Sequence, residues 1–204
     1  MKNQLYHAAH SIYSLLFTPK IFFENKKPDD LKAALPYLLA GIVAGNIAMV
    51  VGNVAMAQGD IPPLSSFISL SMYYSFFHIS LFSIEFIFIY IIAGLLGKIM
   101  PFVNILTTMM FVSFTSVIAA ILSIIAFLFM ISTPLDILFP FYFSIVVGPL
   151  FFIWKSCCAI IGLSIMQQMN RKVVTISVLL VFSFFYLSML FINIFIIFFI
   201  SSFS

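Results

Sequence analysis

Five long apolar segments constrain this chain more than any other feature. They cover about residues 35–57, 73–96, 106–129, 138–166 and 173–199. About 20 apolar residues are enough for a helix to cross the hydrocarbon core of a bilayer, where the backbone must satisfy its own hydrogen bonds. The sequence therefore predicts an all-α polytopic membrane protein, with residues 35–204 forming a bundle of five transmembrane helices.

The composition agrees with that fold. Of the 204 residues, 64% are hydrophobic and 7% are charged, whereas ordinary soluble domains carry about 25% charged residues. The basic residues behind the net charge of +3 are scattered between the ends of apolar segments, without the basic patch of a nucleic-acid-binding protein. We therefore expect membrane lipids as partners, with a protein partner or a homo-oligomer also open, and no nucleic acid.

One charged residue, Lys155, lies near the middle of the fourth segment. It shares a helical stripe with Ser144, Gly148, Ala159 and Gly162, because separations of four, seven, four and three residues match helical turns. A lysine at the bilayer centre costs roughly 2.5–3.5 kcal/mol on insertion scales, so it should face other helices and have a partner. The bulky residues of the other faces should meet lipid; they are Val146, Leu150, Phe151, Ile153, Ile160 and Leu163.

Glu85, at the centre of the second segment, is the only acidic residue elsewhere at a comparable depth. We therefore predict that Glu85 and Lys155 form an ion pair within the bundle. His78 lies two turns before Glu85 on the same helical face, so both side chains point inward if either does. Such a pair can fix the register of two helices or line a path for a solute, and the sequence leaves both roles open.

Two further polar side chains fall near mid-depth, Asn46 in the first segment and Ser116 in the third. An interhelical hydrogen bond is the ordinary explanation for such an asparagine, although a transport site is the alternative. The first segment also carries a ridge of small residues that lets another helix approach closely, at Gly41, Gly45, Ala48 and Gly52. The candidate intramembrane polar centre thus consists of Asn46, His78, Glu85, Ser116 and Lys155.

Residues 1–34 contain no apolar run long enough to span a bilayer. The helical spacing of apolar residues from Leu5 to Phe17 predicts a short helix in the membrane interface, with His7, His10 and Ser14 toward water or headgroups. The acidic residues after Pro28 indicate the start of the first long helix, because carboxylates favour a helix N-terminus.

The charges beside the segments predict the topology. If five helices alternate, the N-terminal lysines, Lys98, Arg171 and Lys172 fall on one side, and Asp60 and Asp136 fall on the other. Because basic residues are enriched in cytoplasmic loops, the N-terminus is expected in the cytoplasm and the C-terminus outside.

No pattern of catalytic or metal-binding residues occurs in the sequence. It lacks a glycine-rich phosphate loop, an HExxH pair, a GxSxG elbow and acidic pairs on adjacent turns. Its two cysteines, Cys157 and Cys158, are adjacent, and two neighbouring thiols alone rarely hold a metal. We therefore expect no enzyme activity, no catalytic residue, no cofactor and no metal.

Two regions of the chain resemble the Yip-one-domain family, five-span membrane proteins whose eukaryotic members are named for interacting with Ypt/Rab GTPases. The first is Leu16-Phe17-Thr18-Pro19 followed by Phe23, similar to the family's opening Leu-x-x-Pro-x-x-x-Phe. The second is Trp154, then Ile160-Ile161-Gly162-Leu163 and Asn170-Arg171-Lys172-Val173, similar to the residues that join the family's last two spans. Many relatives carry a tyrosine and a proline in the third span, where this chain has residues 114–118, Phe-Thr-Ser-Val-Ile.

The resemblance implies a short, prokaryotic member of that family in the cytoplasmic membrane. It implies a membrane-embedded scaffold or adaptor in membrane organisation or trafficking-type processes. The polar centre supports an alternative from another class, a transporter or scramblase that moves a lipid or a small solute past mid-membrane. Hydration separates the two hypotheses, because a structural pair would be dry and a path would be wet or open to a lateral groove.

Overall fold

The protein is described from a computed structural model of the chain. The structure describes residues 10, 13–27, 29–56, 63–96, 101–132, 139–168 and 170–201. These residues form helices and no strand, which confirms the all-α prediction. The helices are α1 (Pro19–Glu24), α2 (Leu31–Met56), α3 (Leu64–Leu95), α4 (Phe102–Ser113), α5 (Thr115–Ser132), α6 (Phe139–Met166) and α7 (Arg171–Ser201).

Five stretches of these helices are long and apolar enough to cross a membrane. They are Leu31–Ala55, Ser65–Leu95, Phe102–Phe129, Val147–Met166 and Arg171–Ile192. Their number and composition confirm a polytopic bundle, and the protein is an integral membrane protein. The residues between helices include Asp60, Lys98 and Asp136, which lie outside the described part of the chain.

The first long helix begins with a side-chain cap. The backbone amide of Ala33 donates a hydrogen bond to Oδ1 of Asp30 over 2.9 Å. An aspartate in this position satisfies one of the amides that a helix N-terminus leaves without an intrahelical partner. The predicted helix start after Pro28 is therefore confirmed, with α2 beginning at Leu31.

The third span is interrupted at Phe114, between α4 and α5. The hydroxyls of Ser113 and Thr115 each donate to the carbonyl oxygen three residues earlier, over 2.6 and 2.7 Å. Such bonds compete with the helical pattern and locally tighten it. Helix α2 crosses at this point, where a β-carbon on Gly41 would lie only 2.9 Å from the carbonyl oxygen of Ser113. The interrupted backbone therefore packs directly against a glycine.

The small-residue ridge of α2 has neighbours on two helices besides α4. A β-carbon on Gly45 would lie 3.0 Å from the Tyr74 ring of α3, and one on Gly52 would lie 2.8 Å from the Phe127 ring of α5. Helix α2 packs most extensively against α5 and α4. The predicted close approach along this ridge is confirmed.

Packing is tightest at the end of the bundle where α1 lies, here called the α1 end. Helix α1 inserts its two buried phenylalanines, Phe22 and Phe23, among α2, α4 and α6. Among the side chains that the structure describes, the largest fully buried ones all belong to this half of the bundle: Leu15, Phe23, Ile89, Ile105, Thr107, Thr108, Met109, Phe111, Val112, Leu163, Val174 and Val178. The described residues at the α1 end are therefore closely packed.

Two predictions about exposed faces are wrong because the N-terminal segment packs on the bundle. Most of the predicted interfacial helix, including Leu5 and His7, lies outside the described residues, but residues 13–17 are helical. There Ser14, expected to face water, is 8% exposed. Leu163, expected to face lipid, is 1% exposed, since α1 packs against α6. Leu150 and Ile153 are exposed as predicted.

Candidate functional site

The predicted ion pair is present at the centre of the bundle. Nζ of Lys155, on α6, donates hydrogen bonds to Oε1 and Oε2 of Glu85, on α3, over 2.7 and 2.6 Å. The carboxylate side chain is 6% exposed and the lysine side chain 17% exposed. Because both carboxylate oxygens accept from one ammonium, each charge compensates the other inside the bundle.

A third helix contributes an aromatic ring to the pair. Nζ of Lys155 lies 4.6 Å from the ring centroid of Phe182 on α7. An ammonium at this distance from a ring face is attracted by the negative face of the π-system. The lysine therefore contacts a carboxylate and an aromatic face together, which connects α3, α6 and α7.

The described residues form two cavities beside the pair. The larger lies between α3, α6 and α7, and we name it the aromatic cavity. Its volume is about 260 Å³, and five of its ten lining residues are aromatic. The lining consists of Leu81, Glu85, Gly148, Phe151, Phe152, Lys155, Phe182, Phe185, Tyr186 and Leu190. Gly148 leaves room for the Tyr186 ring, which would lie 3.3 Å from a β-carbon at that position.

The smaller cavity, of about 120 Å³, lies on the α4 and α5 side of the pair, and we name it the polar cavity. Besides the pair, its polar lining residues are His78, Ser113 and Ser116. The structure thus brings together four of the five predicted site residues, and His78 shares a face with Glu85 as predicted. Glu85 and Lys155 line both cavities, together with Leu81 and Phe151, so the two spaces adjoin the same charged pair. Phe151 was expected to face lipid, and this prediction is wrong because its side chain lies beside the pair.

Both cavities extend mainly toward the end of the bundle opposite α1. In α3, Leu81 precedes the glutamate, and in α6, Gly148 precedes the lysine; both positions lie toward that opposite end. In α7 the lining continues from Phe182 to Leu190 in the same direction. On the α1 side of the pair, Phe86, Ile89, Cys158 and Ala159 are each at most 4% exposed. The ion pair is therefore the floor of the two cavities.

The structure places Asn46 elsewhere. Its Nδ2 donates to Oγ of Ser75 on α3 over 2.8 Å, while its Oδ1 is buried without a partner among the described residues. Asn46 lines neither cavity. Ser75 precedes Glu85 by ten residues, about 15 Å along a helix. The interhelical hydrogen bond is confirmed, and the asparagine does not contact the charged pair.

The aromatic lining was missed at the level of sequence. Phe182 and Tyr186 are four residues apart on α7 and so share a face. Residues 173–199 carry no charge, however, and the polar residues among them mark no single helical face as inward: Thr175, Ser177, Ser183, Ser188 and Asn193. The described residues include no group of three or more histidine, cysteine or acidic side chains that could hold a metal ion. No known protein family, curated protein or solved structure matches the chain.

Proposed function

We propose that the protein is a transport-type membrane protein whose solute, or lipid headgroup, reaches the Glu85–Lys155 pair from the end opposite α1. The observation that carries this proposal is that the pair forms the floor of two cavities, of about 260 and 120 Å³. A pair that only fixes helix register gains from close packing on every side, since voids lose dispersion contacts. Cavities beside charged groups are suited instead to water or a polar ligand.

Two irregular positions in the helices adjoin the same cavities and support movement there. Pro149 lies inside α6, directly after the cavity residue Gly148, and it removes one backbone hydrogen bond from the helix. The interruption at Phe114 directly follows Ser113, which lines the polar cavity. Irregular helical backbone is tolerated in a membrane where it lines a cavity, and transporters often form their binding sites at such positions. Passage beyond the pair would require the closely packed α1 end to open.

Orientation follows from the basic residues. Apart from Lys155, every described lysine and arginine lies at the α1 end: Lys20, Lys26, Lys27, Lys32, Arg171 and Lys172. By the positive-inside rule we place this end in the cytoplasm and the cavities toward the outside of a prokaryotic cytoplasmic membrane. A solute would then enter the site from outside the cell.

A Yip-like scaffold or adaptor is the second candidate, and one observation favours it. Helices α3 and α6 are not among the helix pairs that pack extensively, so the ion pair is the main link between them. In this role Glu85 and Lys155 would hold the bundle together, and the N-terminal segment would meet a protein partner.

Hydration of the site distinguishes the two functions. Leu81 and Ile89 lie four residues before and after Glu85 on α3; the first lines both cavities and the second is 1% exposed. Single-cysteine variants Leu81→Cys and Ile89→Cys, in a background with Cys157→Ser and Cys158→Ala, are reconstituted in vesicles. They are treated with a membrane-impermeant cationic methanethiosulfonate, which reacts with thiolates in water.

We expect labelling of Leu81→Cys and none of Ile89→Cys, because only the first position adjoins a wet cavity. Ser65→Cys, an exposed position at the start of α3, serves as the positive control. If Ser65→Cys is labelled and Leu81→Cys is not, the pair is dry; the transport proposal is then overturned in favour of the scaffold.

A further inference from the structure

We infer that the aromatic cavity accepts a zwitterion that carries a quaternary ammonium group next to an anionic group. This inference rests on the proposed function, since it requires that the cavity admit a solute. It follows from three properties of the site, namely its charge balance, its aromatic walls and its size.

The charge balance favours a ligand without net charge. Glu85 and Lys155 compensate each other through two short hydrogen bonds. A cation alone would engage the carboxylate and leave the ammonium uncompensated, and an anion alone would do the reverse; an unpaired buried charge is strongly unfavourable. A zwitterion inserted between the two side chains gives each a new partner of opposite charge. The site therefore favours a ligand that carries both charges over a ligand that carries only one.

The aromatic walls favour a methylated ammonium over a primary one. Phe151, Phe152, Phe182, Phe185 and Tyr186 supply half of the lining residues. The ammonium of Lys155 already lies over one of these rings, which marks the site as one where a cation meets a ring face. Aromatic faces attract quaternary ammonium groups, which have no N–H donors that would be left without acceptors in an apolar cavity.

The size of the cavity limits the ligand to a small group. A cavity of about 150 Å³ lined by apolar side chains binds benzene in an engineered protein. At about 260 Å³ the aromatic cavity is larger, and it has room for a trimethylammonium group joined by a short linker to an anion. Two sources supply that chemistry, a free zwitterion such as glycine betaine and the phosphocholine headgroup of a phospholipid.

Protection of a thiol in the site tests the inference. The Leu81→Cys variant described above is labelled in phosphatidylglycerol vesicles with increasing concentrations of three compounds of similar shape. Glycine betaine carries both charges, choline carries only the cation, and 3,3-dimethylbutanoate replaces the nitrogen of betaine by carbon and carries only the anion. We expect glycine betaine to halve the labelling rate at a concentration at least tenfold lower than either single ion.

A second arm identifies a lipid source. The labelling rate of Leu81→Cys, divided by that of Ser65→Cys to correct for surface charge, is compared between phosphatidylcholine and phosphatidylglycerol vesicles without added compound. A rate several-fold lower in phosphatidylcholine supports entry of the lipid headgroup, and protection by betaine alone supports the free zwitterion. Equal protection by all three compounds, or no protection from either source while Leu81→Cys is labelled, overturns the inference. An unlabelled Leu81→Cys overturns the proposed function instead.

The aromatic walls are tested by a pair of leucine substitutions. Tyr186→Leu removes one ring of the cavity, whereas Phe76→Leu removes a ring of α3 that is 73% exposed and lines neither cavity. We expect Tyr186→Leu to raise the half-protecting concentration of the effective zwitterion at least fivefold and Phe76→Leu to leave it unchanged. Equal effects of the two substitutions would contradict a role for the rings.

Discussion

Phe23 of α1 packs directly against the backbone of Gly162 in α6. A β-carbon on Gly162 would lie 2.7 Å from Cζ of the Phe23 ring and 2.9 Å from Cγ2 of Thr108 on α4. Phe23 is 1% exposed, so its ring has little space into which to move. The glycine therefore makes the position of α1 possible, and α1 in turn closes this end of the bundle.

Gly162→Ala should destabilise the protein, because the added methyl group has no room. Overpacking of this kind typically costs about 1–3 kcal/mol. The helical Gly94 has no atom within 4 Å of its β-carbon position, so Gly94→Ala is a matched control with little or no loss. Thermal unfolding in detergent measures both variants. Similar stabilities for the two would show that α1 is not held against α6.

The same contact should control access to the lysines around α1. If Gly162→Ala displaces α1, trypsin should cleave at Lys20 and Lys26 faster than in the parent, because Lys20 lies within α1 and Lys26 lies two residues after it. Gly94→Ala should leave the cleavage rate unchanged. An unchanged rate in Gly162→Ala, together with lost stability, would place the strain elsewhere in the bundle.

Lys26 lies two residues after α1, and its ammonium group lies near three aromatic rings. Its Nζ lies 4.9 Å from the ring centroid of Phe22, 5.8 Å from that of Tyr37 and 5.7 Å from that of Phe111. Burial lowers the pKa of Lys26 below its ordinary value of 10.5, and the nearby carboxylate of Asp30 only partly offsets this effect. The folded state therefore releases this proton at a lower pH than the unfolded chain.

This difference in pKa predicts how stability depends on pH. Between the lowered folded pKa and 10.5, the unfolded chain binds more protons at Lys26, so the contribution of this residue to stability rises with pH. Unfolding temperatures of the parent and of Lys26→Met, measured from neutral pH to pH 10.5, should differ in slope across that window. Lys27→Met, at an exposed neighbour, should keep the parent's slope. Identical slopes for all three proteins would contradict the shift.

Removing either partner of the hydrogen bond between Asn46 and Ser75 should lower stability by a different amount. Ser75→Ala leaves the asparagine amide, whose Oδ1 already lacks a partner among the described residues, without its remaining bond. The free energy of unfolding should fall by an amount near the upper limit for hydrogen bonds between membrane helices, about 1.7 kcal/mol. Asn46→Leu should cost less, because it removes the amide and leaves a serine that can bond to its own helix. Unfolding measurements that rank the two variants the other way would contradict this account.

Helical periodicity was sufficient to predict the five spans, the inward face of α6 and the pairing of its one lysine. A lysine at mid-bundle needs an opposite charge, and Glu85 was the only acidic residue at that depth, so the partner followed by elimination. The ridge from Gly41 to Gly52 similarly predicted close approach, since small residues at helical spacing have few other uses in a membrane. These inferences depend on local spacing and on scarce polar residues.

The packing of α1, the interruption at Phe114 and the cavities depend on tertiary contacts, which the spacing of residues along the sequence does not specify. The stripe containing Gly162 was correctly predicted to face inward, but besides Thr108 of another span its neighbour is a phenylalanine of a six-residue helix. The interruption at Phe114 coincides with two hydroxyls that donate to the carbonyl three residues earlier, and the same sequence could direct them to solvent or a neighbour. Each cavity lies between three spans, and the uncharged part of α7, whose polar residues mark no single face, does not indicate which of its faces lines a cavity.

The coupling between Glu85 and Lys155 tests the central claim most directly, that the two charges compensate each other inside the bundle. Thermal or denaturant unfolding in detergent is measured for Glu85→Gln, Lys155→Met and the double variant. Each single change should cost about 3–5 kcal/mol, because it leaves one buried charge unpaired, while the double change should be nearly neutral. If both single variants are as stable as the parent, or if their losses simply add in the double variant, the pair is not a compensated buried pair and the account is wrong.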